Sequence, residues 1–184
     1  MRVLAGMSQK RLFRTILANS RGRLHRMAYA WTHDSSLADD LVQQTCFQAL
    51  RKQKHLRDID AADAWLFRIL ANCLCDYRRA RREVLFEETP VSIDARTPER
   101  EAHDDQVALR VRQAVNALPL AHRQVVTLVD LEGFTYSEVA GILGIPVGTV
   151  MSRLSRGRRS LRERLLEANL HDGTDSVSKV RKIR

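Results

Sequence analysis

The sequence predicts an all-α protein made of two small helical domains joined by a flexible acidic linker, and three observations support this. Aromatic residues make up only 5% of the 184-residue chain, and Gly and Pro number eight and four, so helix formers outweigh strand formers. Apolar residues recur at helical spacing from about Lys10 to Arg82 and again from about Asp105 to Leu166. The stretch between these segments lacks that spacing.

The composition of this intervening stretch sets the domain boundaries. Residues 83–105 carry eight acidic residues against two arginines, and Pro90 and Pro98 interrupt any helix there. DNA would repel such a linker, or the linker would lie over a basic surface and shield it; the sequence leaves both open. We expect a first domain over residues 1–82, a linker over 83–105, a second domain over 106–168 and a flexible, unstructured basic tail over 169–184.

The charge of the chain points to a polyanionic partner. The net charge is +9 and the isoelectric point is about 10.2, and a basic surface attracts phosphate. No stretch reaches the roughly 18 apolar residues that a spanning helix needs, and no apolar signal core follows the start of the chain. We therefore expect a cytoplasmic protein without membrane insertion.

The cysteines and histidines give little support to an enzyme or a metal site. Cys46, Cys73 and Cys75 are an odd number, so a disulfide framework is not expected, and packing or redox sensing remains open for them. Cys73 and Cys75, with His55 or His103, form the one metal-like cluster. Cysteines two apart on a helix point about 200° from each other, unlike the CxxC spacing of zinc sites. We expect no catalytic residue, no metal and no cofactor.

The clearest motif is a helix-turn-helix near the C-terminus. Thr135 and Glu138 form a capping-box pattern that begins a helix, and Gly144 permits the left-handed conformation that ends it. Pro146 then suits the start of a second helix, because a first-turn position needs no amide hydrogen. An apolar segment upstream, from Leu118 to Leu131, would support the motif.

The second helix of this motif has two opposite faces. Its apolar positions cluster on one side, at Val150, Leu154, Leu161 and Leu165, while Ser152, Arg156 and Arg159 lie almost opposite. Six arginines and one acid, Glu163, fall between Pro146 and Arg164. A solvated face would explain some of this charge, but after such a turn the pattern favours a helix that enters the major groove of DNA.

This region resembles the fourth conserved region of bacterial sigma factors. The resemblance is carried by Leu118-Pro119, by the run from Glu132 to Ala140, by Pro146-Val-Gly-Thr-Val150 and by Ser152-Arg153-Leu154. It implies that the helix reads the minus-thirty-five promoter element, with base contacts from Ser152 and Arg156 and phosphate contacts from Thr149, Arg153 and Arg159. Met151 stands where family members commonly carry a basic residue.

The first half contains an amphipathic helix that begins at the capping residue Asp34 and runs to Leu50. Leu37, Leu41, Cys46, Ala49 and Leu50 are available for burial, and the other face is acidic and rich in amides. On physical grounds this is an ordinary surface helix or a docking helix. It resembles the second conserved region of sigma factors, which implies polymerase docking through Asp39, Asp40, Gln43, Gln44 and Phe47. Gln44 replaces a residue that is usually acidic in the family.

A second amphipathic helix, from Ala64, runs into a cluster of arginines. Leu66, Leu70, Cys73 and Tyr77 share its apolar face, and Trp65 is expected to pack in the core rather than act as a melting wedge. In sigma factors the matching helix and the loop before it, here about Leu56 to Asp63, hold the minus-ten element and an extruded base. The resemblance assigns this role to Asn72, Arg78, Arg79, Arg81 and Arg82.

Both halves together resemble small sigma factors of the extracytoplasmic-function type, in the sigma-70 family. Membership implies core RNA polymerase and promoter DNA as partners, an anti-sigma protein that holds the factor inactive between its domains, and a role in a stress or environmental response. Two other interpretations stay open. A helix-turn-helix regulator acting without core polymerase leaves the first half unexplained, and a sigma mimic that sequesters an anti-sigma factor would not need the arginines at 78–82 and 153–164.

Overall fold

The structure is a computed structural model that describes residues 9–56, 58–85 and 105–180. Helices make up its regular structure, and these ranges contain no strand, which confirms the all-α prediction. The elements are α1 (Gln9–Thr32), α2 (Ser35–Lys52), a 3₁₀ turn (Gln53–His55), α3 (Ala62–Leu85), α4 (Asp105–Asn116), α5 (Leu120–Val126), a π-helical turn (Thr127–Leu131), α6 (Tyr136–Leu143) and α7 (Val147–Val180). No helix in the described ranges is long and apolar enough to cross a membrane.

The first half packs α1, α2 and α3 around one apolar core. Leu24, Leu66, Phe67 and Leu70 are fully buried there. The chain turns sharply between α1 and α2, where His33 adopts a left-handed backbone with φ of 58°. Asp34 then caps α2 by accepting a hydrogen bond from the Leu37 amide at 3.0 Å, which confirms the predicted capping residue.

The helix-turn-helix forms as its sequence predicts. The Thr135 hydroxyl accepts from the Glu138 amide at 3.3 Å, and the Glu138 carboxylate accepts from the Thr135 amide at 2.8 Å. Gly144 ends α6 in the left-handed region with φ of 65°. Pro146 lies one residue before α7, and its carbonyl accepts from the amides of Thr149 and Val150.

Three details of burial differ from the sequence predictions. The supporting segment ends in the π-helical turn, whose wider Glu132 N to Thr127 O bond directs Leu131 outward, so that 66% of this leucine is exposed. Leu50, in the last turn of α2, is 40% exposed, and Tyr77 of α3 is 37% exposed. Leu50, which its position on the helix makes available for burial, is therefore largely exposed, and the prediction that Tyr77 packs with the apolar face of α3 is wrong.

The second half ends in a helix longer than expected. α7 continues to Val180, whereas the sequence predicts a flexible tail from residue 169. The physical reason is that this segment contains no proline and a single glycine, Gly173, which costs a helix only about 1 kcal/mol. Most of the expected linker, residues 86–104, lies outside the described residues, as do residues 181–184 of the tail.

A glycine allows α5 and α7 to cross closely in the second half. A Cβ atom at Gly157 would lie 2.6 Å from Cγ2 of Val126 and 3.5 Å from Cβ of His122. A Cβ atom does not approach another carbon atom this closely, so the crossing of α5 and α7 requires glycine at position 157. This crossing fixes the angle at which α7 leaves the domain, and with it the direction of the Ser152, Arg156 and Arg159 face.

The two halves also contact each other. α3 packs against α6, and α1 contacts α4 and α5. Trp31, Phe67 and Arg23 of the first half meet Thr127, Phe134 and Glu132 of the second. The chain therefore folds into one closed body in which the helix-turn-helix adjoins α3.

Candidate nucleic-acid and polymerase interfaces

The first candidate interface is the outer face of α7. Val150 and Leu154 are buried, and Leu161 packs against the core, whereas Ser152, Arg156 and Arg159 are exposed. The two predicted faces of this helix are therefore present. The packing side chains hold the helix, and the polar side chains project into solvent where a major groove could be read.

Two other residues predicted for this face are less exposed to solvent. Thr149 and Arg153 are half-buried beside the turn, and the Ser152 hydroxyl donates to the Thr149 carbonyl at 3.1 Å. Met151 is 54% exposed, so its thioether extends the same surface. The start of α7 thus offers backbone amides and hydroxyls, which suit a phosphate, beside exposed side chains.

The arginines of α7 are not equivalent, which the sequence did not reveal. Arg158 donates to both carboxylate oxygens of Asp130, at 3.2 and 2.5 Å, and the hydrogen bonds raise the pKa of Arg158. Arg159 lies 3.6 Å from Glu163, four residues on, with both side chains well exposed. Among the described residues no carboxylate lies within 4 Å of Arg156. Arg156 is therefore free for a base, while Arg158 braces α7 against the π-helical turn.

The second candidate interface is the outer face of α3 and the arginines that follow. Asn72, Arg78, Arg79 and Arg81 are exposed, and the side chain of Arg82 lies outside the described residues. Arg81 donates to the Tyr77 hydroxyl at 3.1 Å, and Arg79 lies 3.8 Å from Asp76. These contacts are solvent-exposed and weak, so the arginines can exchange them for phosphates.

Hydrogen bonds from α1 hold the first turn of α3, and a local hydrogen bond shapes the turn before it. Asp63 accepts from the Ser20 hydroxyl at 2.9 Å and from Arg23 at 2.6 Å, both on α1. The Asp60 amide donates to the Asp58 carboxylate at 3.0 Å, which shapes the turn. Trp65 is partly buried, with its ring 6.0 Å from Phe13 in an edge-on arrangement. Its contacts are those of a packing residue.

The third candidate interface is a groove of about 720 Å³ between α2 and α3. Four of the five predicted docking residues line it: Asp40, Gln43, Gln44 and Phe47. Asp76 and Tyr77 of α3 complete the opposite wall. Sequence reasoning missed these two because it treated α3 as a separate surface; the exposure of Tyr77 beside Phe47 brings the two helices into one site.

Asp39, the fifth predicted docking residue, does not line the groove. Its carboxylate lies 3.3 Å from Nε2 of His25 on α1. Phe47 is 55% exposed at the groove, and the Arg51 guanidinium lies 5.4 Å above its ring. An exposed aromatic ring flanked by acids and amides is suited to protein docking.

The cysteines do not form a metal-binding group in the part of the chain that the structure describes. No cluster of three His, Cys, Asp or Glu side chains suited to a metal occurs there, and His103 lies outside it. Burial raises the pKa of the Cys46 and Cys73 thiols, which disfavours the reactive thiolate. Cys75 is exposed.

Comparison with known proteins places both halves in one family. The family model for Sigma-70 region 2 matches residues 17–84, and that for Sigma-70, region 4 matches residues 108–161. The ECF RNA polymerase sigma factor EcfG of Rhodopseudomonas palustris is 35% identical over 140 residues, covering 75% of this chain and 76% of that protein. The ECF RNA polymerase sigma factor SigE of Mycolicibacterium smegmatis is 33% identical over 148 residues, which span 78% of this chain and 57% of that longer protein.

A solved structure superposes on most of this chain. The sigma factor RpoE from Bartonella quintana, determined in complex with the anti-sigma factor NepR, superposes with a TM-score of 0.75 at 29% identity. The match covers 83% of this chain and 96% of that one. It therefore includes both halves rather than a single domain.

Proposed function

Because the chain belongs to the extracytoplasmic-function sigma factors of the sigma-70 family, we propose a division of labour among its three candidate interfaces. As a sigma factor the chain binds core RNA polymerase and directs promoter-specific initiation of transcription, and it is not an enzyme. A regulator that acts without polymerase is set aside, because the region 2 match accounts for the first half. The assignments that follow are to individual residues.

The groove between α2 and α3 docks the chain on core polymerase. The observation that carries this assignment is the exposed Phe47 ring in a groove lined by Asp40, Gln43 and Gln44. Asp76 and Tyr77 belong to the same site by position. Asp39 contributes at the rim, where it would have to leave His25 to reach a partner.

The outer face of α7 reads the minus-thirty-five element. Ser152 and Arg156, which has no carboxylate within 4 Å among the described residues, contact base edges, because a guanidinium bonds guanine through two parallel hydrogen bonds. Thr149, Arg153 and Arg159 hold phosphates and set the register of the helix. Met151 supplies apolar contact, for which a thymine methyl is the natural partner.

The exposed face of α3 and its arginines engage the minus-ten element. Asn72 contacts the extruded base, and Arg78, Arg79, Arg81 and Arg82 follow the backbone of the opened strand. Extrusion costs a few kcal/mol of stacking, which this basic track offsets through its charge.

The chain works in the cytoplasm under the control of an anti-sigma protein, in a stress or environmental response. Support for the anti-sigma partner comes from RpoE of Bartonella quintana, which covers both halves of this chain and was solved with its anti-sigma factor. The cytoplasmic location is supported by the partners that the family binds, core polymerase and promoter DNA.

Reconstitution with core polymerase tests the docking assignment. Phe47→Ala should lower the affinity for core polymerase by about tenfold or more, because exposed aromatics are common anchors of interfaces. Leu166→Ala, which removes an apolar side chain of similar exposure (56%) from α7, is the matched control and should leave core binding unchanged. Equal binding by Phe47→Ala and the unmodified chain would overturn the assignment of the groove.

A further inference from the structure

The outer face of α1 carries positive charge that none of the three candidate interfaces uses. We infer that this face is a further nucleic-acid interface, which binds the phosphates of the opened promoter strand beyond the minus-ten element. The basic face consists of the exposed Arg11, Arg14, Arg21 and Arg26. Its charge is a property of the chain itself, whereas the choice of the opened strand as its partner rests on the proposed assignment of α3 to the minus-ten element.

The charge of α1 is one-sided. The helix contains six lysines and arginines and no acidic residue over its 24 positions. The whole chain has 22 acidic residues among 184, so 24 positions would carry about three of them if they were evenly spread. Surfaces that serve solubility alone usually mix both signs of charge. The composition of α1 therefore indicates a polyanionic partner.

The four arginines of the basic face have no acidic partner in the described part of the chain. No carboxylate there lies within 4 Å of their guanidiniums. Arg23, on the side of α1 that faces α3, differs from them, because it donates to Asp63 at 2.6 Å and to Glu132 at 2.8 Å. The fold thus uses Arg23 internally and leaves the outer arginines available for phosphates.

The middle of the basic face is made of small side chains. Thr15, Ala18 and Gly22 are exposed there, at helical spacing. Arg14 lies on one side of this row and Arg26 on the other, and Nη1 of Arg26 is 3.7 Å from the position that a Cβ atom of Gly22 would take. Small side chains let a phosphate backbone approach the helix closely, so guanidiniums from both sides can bond its oxygens.

The apolar face of α1 is not available to a lipid surface. Phe13, Leu24 and Met27 are each 2% exposed or less, because they pack in the core of the first half. A helix that lies on a membrane needs apolar side chains that enter the bilayer interface. Binding to the phosphates of a nucleic acid needs only the charged face, and that face is the one α1 exposes.

The position of α1 relative to α3 selects the opened strand. Asp63, in the first turn of α3, accepts from Ser20 at 2.9 Å and from Arg23 at 2.6 Å, so α1 crosses α3 at the end where the proposed minus-ten loop lies. Arg78 begins the arginine track 15 residues further along α3, about 22 Å away at about 1.5 Å per residue. A strand that follows α3 from this track to the loop therefore continues towards α1.

Binding of the reconstituted holoenzyme to two forked promoter DNAs tests this inference. The short fork ends its single strand with the minus-ten element, and the long fork extends the same strand past it. Arg14→Ala combined with Arg26→Ala should lower the affinity for the long fork by about tenfold and leave the short fork unchanged. The slope of log affinity against log salt for the long fork should fall by about 1.4, because each single-strand phosphate contact contributes about 0.7.

Two matched comparisons make the result specific. Arg112→Ala combined with Arg162→Ala removes two exposed arginines, on α4 and α7, that no interface uses, so it should bind both forks like the unmodified chain. Neutral methylphosphonate linkages in the extension of the long fork should weaken the unmodified chain. They should have little further effect on the variant at positions 14 and 26, because both changes remove the same contacts. Affinity for core polymerase should be the same in all three chains.

Each of three results would overturn the inference. The variant could bind the long fork as well as the unmodified chain does, or lose equal affinity for both forks, which would put the contact on another part of the DNA. It could also lose affinity for core polymerase, which would make a protein the partner of the basic face. Failure of the minus-ten assignment is seen separately, because Asn72→Ala and Arg79→Ala would then bind the short fork like the unmodified chain.

Discussion

Arg156 and Arg159 stand one turn apart on α7 but differ in their surroundings. Arg156 has no carboxylate within reach among the described residues, whereas Arg159 shares charge with Glu163 at 3.6 Å. Arg156→Ala should cost about 1–3 kcal/mol at one or two base positions, while Arg159→Ala should weaken binding to all sequences together. Binding of the reconstituted holoenzyme to a set of single-base promoter variants measures both.

The salt dependence of DNA binding tests the roles of Arg156 and Arg159 independently. Loss of one phosphate contact should reduce the slope of log affinity against log salt by about 1 for Arg159→Ala. Arg162→Ala, which removes an exposed arginine further along α7 that no interface uses, is the matched control. A base-specific loss at Arg159 would reverse the two roles.

His33 makes the closed body sensitive to acid. Burial lowers the pKa of His33, and the positive charge of Arg123, whose guanidinium contacts Nε2, lowers it further. Arg78 of α3 adds a further positive charge close to Arg123. Because the pKa is depressed in the folded chain, the unfolded or opened chain takes up the proton first. Stability from this site is fully present above about pH 6.5 and is lost as the pH falls below that value.

The free energy of unfolding, measured from pH 8 to pH 5, tests this prediction. His33→Asn is the informative variant, because asparagine tolerates the left-handed backbone at φ of 58° and carries no titrating ring. The unmodified chain should lose more stability below about pH 6.5 than His33→Asn does. Identical pH profiles would contradict the prediction.

The three thiols should differ in reactivity. Cys75 is exposed, while burial raises the pKa of Cys46 and Cys73, so a thiol reagent at pH 8 should modify one cysteine quickly and two only after unfolding. Mass spectrometry of a timed reaction counts the modified sites. Cys75→Ser should abolish the fast phase, and fast modification of Cys73 would contradict this account.

At the scale of helices, the crossing of α5 and α7 depends on one glycine. Gly157→Ala should lower the free energy of unfolding by about 1–3 kcal/mol, because its methyl group would overlap Val126. Gly141→Ala on α6, where a Cβ meets nothing within 4 Å, is the matched control and should leave stability unchanged or raised by up to about 1 kcal/mol. Urea denaturation distinguishes the two, and partial rescue by Val126→Ala would locate the clash.

The helices themselves were largely predictable from local chemistry. Thr135 with Glu138, Gly144 and Asp34 each act through bonds to residues three or four positions away, so the pattern contains the whole interaction. Leu131 and Tyr77 were misjudged because burial depends on which helix lies opposite. The π-helical turn rotates Leu131 outward, and such turns have no simple sequence signal.

At the scale of the whole molecule, the predicted pair of helical domains is present, but their contact could not be predicted. Arg123 bonds carbonyls more than 90 residues away, and Arg23 reaches Glu132 across 109 residues. Such pairs depend on the tertiary arrangement and leave no periodicity in the sequence. The groove between α2 and α3 was predictable only in part for the same reason, because Asp76 and Tyr77 join it from a second helix.

Transcription from a promoter library tests the division of labour most directly. Core polymerase reconstituted with this chain should initiate on templates in which the minus-ten and minus-thirty-five elements vary independently. Asn72→Ala should change the preferred minus-ten sequence and leave the minus-thirty-five preference intact, and Arg156→Ala should do the reverse. The account predicts two separable shifts; a shift of the same element by both variants, or initiation without regard to either element, would contradict it.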